Sequence, residues 1–357
     1  MELTGFAIET LRIPCDPAIS DSQTDDPHVA VAILTLETTD DHVGIGYEWI
    51  SPAMGVDTIR QRVSGAWAKF EGSSPFQVLN RVRRGRGGAY PPSHFSGLEH
   101  ALDIACWDLA GKSLDLPVWA LLGGTDPSVR TYVSGLHYTL DDAETRDRYS
   151  AYAGAGFDAA KVKIGYPDVR ADLDRIALVN EAMDDPILML DANEAFDPKE
   201  AIRRATAYRE AGYRIEWFED PCLRTDLEGI TRVAQALEQT HVNVGEYVHL
   251  EGKRQLLERG ACELLNLRRG MFSESLDAAV LASAYGVPMH VGQAPFHVGI
   301  HLAAALPECD WLEYWPRPWD ELLVTTLDID DGMVTAPSDP GHGLYVSVDA
   351  IETYRKT

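Results

Sequence analysis

Cysteine is scarce in this chain of 357 residues, and no two cysteines are spaced as C-x-x-C. An odd number of widely separated cysteines excludes a disulfide framework and a cysteine-based zinc site. Long apolar runs are also absent: no stretch of about 18 apolar residues occurs, which excludes a membrane-spanning helix. The opening residues, MELTGFAIET, lack the basic start and apolar run of a secretory signal. We therefore expect a cytoplasmic protein with reduced thiols at Cys15, Cys106, Cys222, Cys262 and Cys309.

Basic residues are few as well: 31 lysines and arginines stand against 56 acids, for a net charge of −25. Such a field repels nucleic acid and anionic membrane surfaces, so neither is an expected partner. The acids are scattered in pairs such as Asp25-Asp26 and do not form a tail. We interpret this surface as halophilic, adapted to multimolar salt that screens charges within about 3 Å. An ordinary acidic soluble protein is the alternative.

Three regions of different periodicity follow one another along the chain. Residues 1–50 alternate as paired strands around a polar loop, Asp16 to Pro27, and residues 57–122 have helical spacing. Beyond Gly124, eight short apolar runs alternate with amphipathic stretches, which predicts a parallel βα barrel. The expected fold is an α/β protein with a TIM-like (β/α)7β barrel at 125–320. An α+β N-terminal capping domain at 1–124 is completed by the C-terminal segment 321–357. The eight predicted strands are VRTYVSG, FDAAKVKIG, PILMLDAN, RIEWFED, NVGE, CELLNL, VPMHVG and DWLEYW.

Polar residues recur where these predicted strands end. The first such strand ends with Lys161 and Lys163, two residues apart and therefore on one side of the strand. The next three end with the carboxylates of Asp191, Glu219 and Glu246, and the intervals from Lys163 onward are 28, 28 and 27 residues. Strand ends meet at one face of a barrel, so three acids converge beside two lysines. A hard divalent cation would relieve their repulsion, and oxygen ligands with open positions suit Mg²⁺.

A simpler interpretation exists for each of these acids taken singly. Acidic residues are common N-caps, so any one of them can begin the following helix without binding a metal. Three acids at matching spacing beside two inward lysines favour the metal site. Cysteine and histidine do not occupy these positions, which argues against zinc.

The segments KVKIG, LDANEAF, WFEDP and VGEY resemble the K-x-K, D-x-N, E-E-P and G-E-N segments of the enolase superfamily, in its mandelate racemase/muconate lactonizing enzyme-like branch. The similarity runs from about residue 5 to Glu313, with Asp220 in place of the second Glu of E-E-P. It implies that Asp191, Glu219 and Glu246 bind Mg²⁺. It also implies that Lys163 is the base, its pKa lowered by Lys161. The Mg²⁺ would stabilise the enediolate formed when the proton α to a carboxylate leaves, a pattern the superfamily is known for.

Two predicted strands depart from the family pattern. The sixth, CELLNLRRG, has Leu265 or Asn266 where an Asp is expected, and Arg268 where the other family option has a lysine. Arginine stays protonated, so Arg268 is a clamp for substrate more readily than a base. On the seventh, His290 is the first candidate for the acid and His297 the second, while a different gap places Gln293 there. A hydrogen-bonded structural histidine is the alternative for His290.

Further residues are candidates for substrate contact. Glu313 matches a strand-eight Glu that, if protonated, hydrogen-bonds the substrate carboxylate; an ion pair with Arg317 is the alternative. The loop Ser20 to Thr24 can close over the barrel mouth or be a solvated turn, and Tyr47 and Trp49 can line that lid or pack the small domain. The predicted substrate-binding residues are Asn193, Arg268, Glu313, His297 and Asn266.

The resemblance implies dehydration of a sugar acid to a 2-keto-3-deoxy acid, with Lys163 removing the proton and His290 or Lys161 assisting departure of hydroxide. A racemase or epimerase is the alternative, weakened by the missing strand-six Asp. A cycloisomerase or succinylbenzoate-forming enzyme is a third hypothesis, which the lack of a strand-six lysine disfavours, and an inert barrel that only binds ligands is a fourth. The expected partner is a small-molecule carboxylate, and the family resemblance implies a homo-oligomer.

Overall fold

An antiparallel sheet of three strands, in the order β1-β2-β3, begins the chain. Its strands are β1 (Leu3–Ser20), β2 (Asp25–Thr38) and β3 (Val43–Trp49). Alternate residues of β2 face two different cores. Val31 packs in the core that includes the barrel, whereas Leu34 packs in a second core with the helices that follow. The sheet therefore lies between those helices and the barrel. The computed structural model describes residues 1–23, 25–51, 55–85, 98–267, 272–292, 295–315 and 319–355.

The long helix α3 packs closely against β3. It belongs to the helical region, which comprises α1 (Val56–Trp67), α2 (Pro75–Gly85), α3 (Glu99–Leu114) and α4 (Val118–Leu121). A Cβ placed on Gly46 would lie 1.8 Å from the carbonyl oxygen of Ala101, so only glycine allows this approach of strand and helix. Most residues of α3 are buried, since the sheet covers one side and the other helices and the barrel cover the rest.

Eight parallel strands close into a barrel, because the last, β11, pairs with the first, β4, as well as with β10. All eight predicted strands are confirmed. They are β4 (Ser128–Gly135), β5 (Ala159–Lys163), β6 (Ile187–Asp191), β7 (Ile215–Glu219), β8 (His241–Val244), β9 (Leu264–Leu267), β10 (Met289–Val291) and β11 (Cys309–Tyr314).

Between successive strands lie the helices of the barrel, so the (β/α)7β architecture is confirmed. They are α5 (Asp142–Gly154), α6 (Val169–Ala182), α7 (Pro198–Glu210), α8 (Leu227–Ala236), α9 (Leu250–Glu258), α10 (Phe272–Tyr285) and α11 (Ile300–Ala305). Four of these helices start with an aspartate whose side chain accepts a backbone N–H of the first turn. These aspartates are Asp141, Asp168, Asp197 and Asp226.

The C-terminal segment contacts both the barrel and the first sheet. Its hairpin of β12 (Ile329–Asp330) and β13 (Met333–Thr335) pairs antiparallel with the start of β4. Its last helix, α12 (Val348–Tyr354), packs against β1, where Arg355 pairs with Glu9 at 3.0 Å. These contacts agree with a segment that returns to the cap, while the division at residues 124 and 320 stays a prediction.

The polar stretch Asp16 to Pro27 is mostly strand, contrary to the loop we expected. Extended backbone continues to Ser20 and resumes at Asp25, because Ile19 still pairs with Asp26. Ser20 also donates its N–H to the carbonyl of Leu136 at 2.8 Å, which ties the strand end to the barrel. Of the expected loop, Thr24 lies outside the described residues. Among the described helices, none combines the length and apolar character needed to cross a membrane.

Candidate active site

Two of the three predicted metal ligands end neighbouring barrel strands side by side. Asp191 is the last residue of β6 and Glu219 the last of β7, and the two are paired in register. Each is 1% exposed. Glu246 follows β8 by two residues and lines the cavity at the barrel mouth. Helices α7 and α8 carry their own aspartate caps, so Asp191 and Glu219 are not N-caps.

Both lysines of β5 reach these carboxylates. The Nζ of Lys161 lies 3.0 Å from Oε2 of Glu219, 2.9 Å from Oε1 of Glu313 and 3.5 Å from Oδ2 of Asp191. The Nζ of Lys163 lies 2.5 Å from Oδ2 of Asp191 and 2.8 Å from Oδ1 of Asn193. Six residues predicted from four separate strands thus meet in one cluster, in which all but the half-buried Asn193 are buried. Glu313 pairs with Lys161, whereas Arg317, its other predicted partner, lies outside the described residues.

The electrostatics of this cluster follow from burial and from crowding of like charges. Burial raises the pKa of Glu219 to about 8, and the charges of Asp191, Glu313 and Glu246 act in the same direction. Burial alone would also raise the pKa of Asp191, but the ammonium groups of Lys163 and Lys161 outweigh it and hold that pKa below its usual range. Lys161 similarly lowers the pKa of Glu313 to about 2 against the effect of burial.

Lys161 is held as an ammonium ion. Burial would lower its pKa, but Glu219, Glu313 and the other nearby acids outweigh burial, so that the pKa lies well above its usual value. Asp220, beside Glu219, has a pKa raised well above normal by burial and by the carboxylates of Glu219, Asp191 and Glu246. The region therefore contains more carboxylates than its lysines neutralise.

These donors fit a hard divalent cation. All are carboxylate oxygens, which are the ligands that hard divalent cations prefer, and Glu219 is crowded by the like charges of Asp191, Glu313 and Glu246. The amide Nδ2 of Asn266 donates to Oε1 of Glu219 at 3.0 Å and so fixes the orientation of that carboxylate. In the described part of the chain, no three Asp, Glu, His or Cys side chains form a preassembled ligand shell. Instead the ammonium of Lys161 contacts both Asp191 and Glu219.

His290 lies in the barrel interior and is not among the described residues that line the cavity, so its role as a catalytic acid stays a prediction. It is fully buried, with Nε2 2.8 Å from the side-chain Nδ2 of Asn243 and Nδ1 3.4 Å from the hydroxyl of Tyr132. The ring of Trp217 packs on it at 5.1 Å. Burial, and then the charge of Lys161, lower its pKa to about 3. The physical reason is that this face of β10 points into the aromatic interior of the barrel.

The structure shows where the other predicted contact residues lie, and their roles stay predictions. His297 is buried and stacked on Tyr314 at 4.1 Å, and it is not among the described residues that line the cavity. The side-chain amide of Asn266 donates a hydrogen bond to the carboxylate of Glu219, and Asn266 is also not among the described residues that line the cavity. Arg268 and Gln293 lie outside the described residues. Of the predicted substrate-binding set, Asn193 and Glu313 line the cavity.

The cavity itself measures about 360 Å³ and lies between the barrel mouth and the first sheet. Trp49 lines it, whereas Tyr47 is buried and donates its hydroxyl to the carbonyl of Leu344 at 2.6 Å. Gln23 donates its side-chain amide to the carbonyl of Asn193, so the tip of the β1–β2 connection touches the end of β6. Charged or polar wall residues that sequence reasoning missed are Asp26, His28, Arg224 and Tyr247.

Arg224 is the most strongly held of these missed residues. Its Nε and Nη2 bind the two oxygens of Glu194 at 2.5 and 2.7 Å, and its guanidinium lies 4.5 Å from the centre of the Tyr247 ring. The sequence could have indicated Arg224, because it lies four residues after the predicted strand that ends in WFED, and the loops after barrel strands build the active site. His28 directly follows the polar stretch Asp16 to Pro27 that we assigned to a loop, and nothing in its local sequence pattern marks it.

Comparison with known proteins agrees with this geometry. The family model described as enolase C-terminal domain-like matches residues 144–350. The chain is 31% identical to D-galactarolactone cycloisomerase of Agrobacterium fabrum, over 99% of each chain. A solved structure from Mesorhizobium loti, described as a candidate mandelate racemase, superposes with a TM-score of 0.92 at 34% identity, covering 100% of this chain and 95% of that one.

A further solved structure carries the metal and a ligand. L-talarate dehydratase from Polaromonas, in complex with Mg²⁺ and L-glucarate, superposes with a TM-score of 0.86 at 25% identity, covering 100% of this chain and 98% of that one. Relatives of this chain include sugar-acid dehydratases and also epimerases. The cofactor is accordingly Mg²⁺, as in the solved neighbours. With its closed barrel, capping sheet and lysine–carboxylate cluster, the chain belongs to the enolase superfamily, in the mandelate racemase/muconate lactonizing enzyme branch.

Proposed function

We propose that this enzyme removes the proton α to the carboxylate of a sugar acid and expels the oxygen on the adjacent carbon, giving a 2-keto-3-deoxy acid. One observation carries the proposal: the amine of Lys163 opens on the same cavity as Glu246, Glu313 and the polar cap residues. A base, a cation site and a polar wall for hydroxyl groups are what such an elimination needs. The sugar-acid dehydratases among the relatives support this choice of substrate.

In this proposal Asp191, Glu219 and Glu246 hold the Mg²⁺. The bound Mg²⁺ would supply positive charge to the substrate carboxylate and so favour the enediolate. Lys161, kept as an ammonium by Glu219 and Glu313, would pair with that carboxylate. Lys163 takes the α-proton. Because pairing with Lys161 keeps Glu313 ionised, Glu313 acts here by positioning Lys161 and does not donate a hydrogen bond to the substrate.

Departure of hydroxide needs a proton donor. His290 is removed from the described cavity wall, so the ammonium groups of Lys161 and of Lys163, once it has gained the α-proton, are the donors in this proposal. His28, on β2, faces the cavity from the opposite domain and is suited to the distal end of the substrate. The tip at Ser22 and Gln23, which contacts the barrel, closes the same end.

A second candidate is ring opening of a sugar-acid lactone or anhydro sugar acid. The relatives with cycloisomerase names favour it, one of them over 99% of the chain. It begins with the same proton abstraction and differs only in the leaving oxygen, so a strand-six lysine is not required for it. An epimerase, the reaction of other relatives, needs a second base on the opposite face of the substrate.

The test is a panel of aldonates, aldarates, sugar-acid lactones and dipeptides, each assayed with Mg²⁺ and with EDTA. A 2-keto product from open-chain acids supports dehydration, and product from lactones alone supports ring opening. Deuterium uptake from D₂O without a keto product would replace both with epimerisation. K163A should abolish all of these signals, whereas K199A, at an exposed lysine of α7, should leave them unchanged.

The cytoplasmic location, the homo-oligomeric state and the adaptation to high salt stay predictions from composition and resemblance. The exclusion of nucleic acid and membrane surfaces likewise rests on the net charge of −25.

A further inference from the structure

A buried carboxylate holds the backbone directly after the proposed base. Asp172, in α6, is fully buried. Its Oδ1 accepts the backbone N–H groups of Gly165 and Tyr166, both at 3.0 Å. Its Oδ2 accepts the hydroxyl of Tyr208 at 2.7 Å. Gly165 lies two residues after Lys163, so the hydrogen bonds reach the point where β5 passes into its loop.

A buried arginine completes this network. Arg204, in α7, is 3% exposed, and its Nη1 pairs with Oδ2 of Asp172. Its Nη2 donates to the carbonyl of Pro167 at 3.0 Å, and its Nε to Oε1 of Glu200 at 2.6 Å. The acid therefore holds two N–H groups of the loop, and the arginine holds a carbonyl of the same loop.

The neighbouring backbone leaves this loop little freedom. Gly165 has φ of +110°, and a Cβ there would lie 2.8 Å from the Cβ of Ala195 in the loop after β6. The N–H of Ile164 donates to the carbonyl of Asp191 at 3.0 Å. The loop after β5 is thus hydrogen-bonded to the end of β6, beside the proposed base and a proposed metal ligand.

The energetics of buried ion pairs point to a role other than stability. Taking two charges out of water costs about as much as their attraction returns, and apolar replacements are often as stable. The pair can instead fix the position of one loop, because Asp172 accepts two backbone N–H groups of that loop and Arg204 donates to one of its carbonyls. Catalytic groups need such support, because a displacement of about 1 Å can cost about a hundredfold in rate.

We propose that the Asp172–Arg204 pair is a positioning device that fixes the end of β5 and thereby aims the amine of Lys163 at the substrate. The inference rests on the proposed function, in which Lys163 is the base. It predicts that the pair affects the proton-transfer step more than substrate binding, because Lys163 is two residues from Gly165, where the pair holds the loop, whereas Lys161 lies farther back in β5.

The experiment uses the double variant D172N/R204Q, which removes both charges and keeps hydrogen-bonding groups of similar size. Y208F, a milder change, removes one hydrogen bond to Asp172 and serves if the double variant does not fold. The matched control is D108N/K112Q. Asp108 is also fully buried, accepts the backbone N–H groups of Ile45 and His342 at 2.9 and 3.0 Å, and pairs with Lys112 at 2.8 Å, but it lies in the cap.

Two readouts are compared, turnover of the best acid in the panel and hydrogen exchange of the backbone amides at 164–168. We expect kcat to fall by about a hundredfold in D172N/R204Q and several-fold in Y208F, with KM within about threefold and faster exchange at 164–168. The control should lose comparable thermal stability and keep its kcat. Unchanged kcat with faster exchange would overturn the positioning role, and so would unchanged exchange or an equal fall of kcat in the control. Wild-type protein inactive on every acid would instead overturn the proposed function, and this inference with it.

Discussion

The raised pKa of Glu219 predicts how the stability of the metal-free enzyme depends on pH. Folding raises this pKa from 4.5 to about 8, so between these values the folded protein binds more protons at Glu219 than the unfolded chain does. Stability contributed by Glu219 therefore falls as the pH rises from about 4.5 to 8. At about 1.36 kcal/mol per pKa unit, the full effect is about 5 kcal/mol.

The perturbation is E219Q, which removes the titrating group and keeps its size. Asp191 and Glu313 have lowered pKa values, so their stabilisation is lost only as the pH falls below about 4.5, outside this window. His290 has a pKa lowered to about 3 and favours the folded state increasingly as the pH rises to about 6.5. His290 is present in both proteins, as is Asp220, whose raised pKa acts in the same direction as that of Glu219, so the difference between the proteins reports chiefly on Glu219.

The assay is urea unfolding in EDTA and constant KCl, followed by circular dichroism at several pH values from 5 to 8.5. We expect E219Q to lose less stability than wild type over this range, with the difference between the two proteins changing by about 4 kcal/mol. E228Q, at an exposed acid of α8, is the matched control and should follow the wild type. Parallel curves for wild type and E219Q would refute the reasoning, because Glu219 would then carry no excess proton in the folded state.

Three further outcomes test other parts of the structure. N266L removes the amide that orients Glu219, so the Mg²⁺ affinity measured by calorimetry should fall about 10- to 100-fold; unchanged affinity would show that Glu219 is oriented without it. G46A places a Cβ 1.8 Å from the Ala101 carbonyl and should destabilise the protein by about 1–3 kcal/mol or more in urea unfolding, whereas G65A in α1, where a Cβ meets nothing within 4 Å, should not. Stability measured across a KCl series should rise steeply with salt, and equal stability at low and high salt would contradict the halophilic surface.

The barrel and most of its central cluster could be predicted because both depend on short, regular intervals. Strand ends recur at 27 to 28 residues, and the carboxyl ends of parallel strands meet at one face, so Lys163, Asp191 and Glu219 had to approach one another once the barrel was assumed. The structure agrees with that spacing, since Lys163 pairs in register with Asp191, and Asp191 pairs in register with Glu219.

The remainder depends on contacts between distant segments. His290 is the middle residue of a strand of three, and a shift of one position along such a strand moves a side chain from the interior to the other face. His28 reaches the cavity only because β2 is docked on the barrel, which no local pattern reveals. The extension of β1 to Ser20 likewise requires the Leu136 carbonyl, more than 100 residues away in the chain.

The two-faced burial of β2 has a consequence for how substrate preference can change in this enzyme. Val29, Val31 and Ile33 belong to the core shared with the barrel, and Ala32, Leu34 and Leu36 to the core of the cap helices. Asp26 and His28, which face the cavity, come just before this run on the same strand. The cap is therefore not an exchangeable module. Evolution or engineering can vary the polar start of β2, but grafting a foreign cap would break both hydrophobic cores at once.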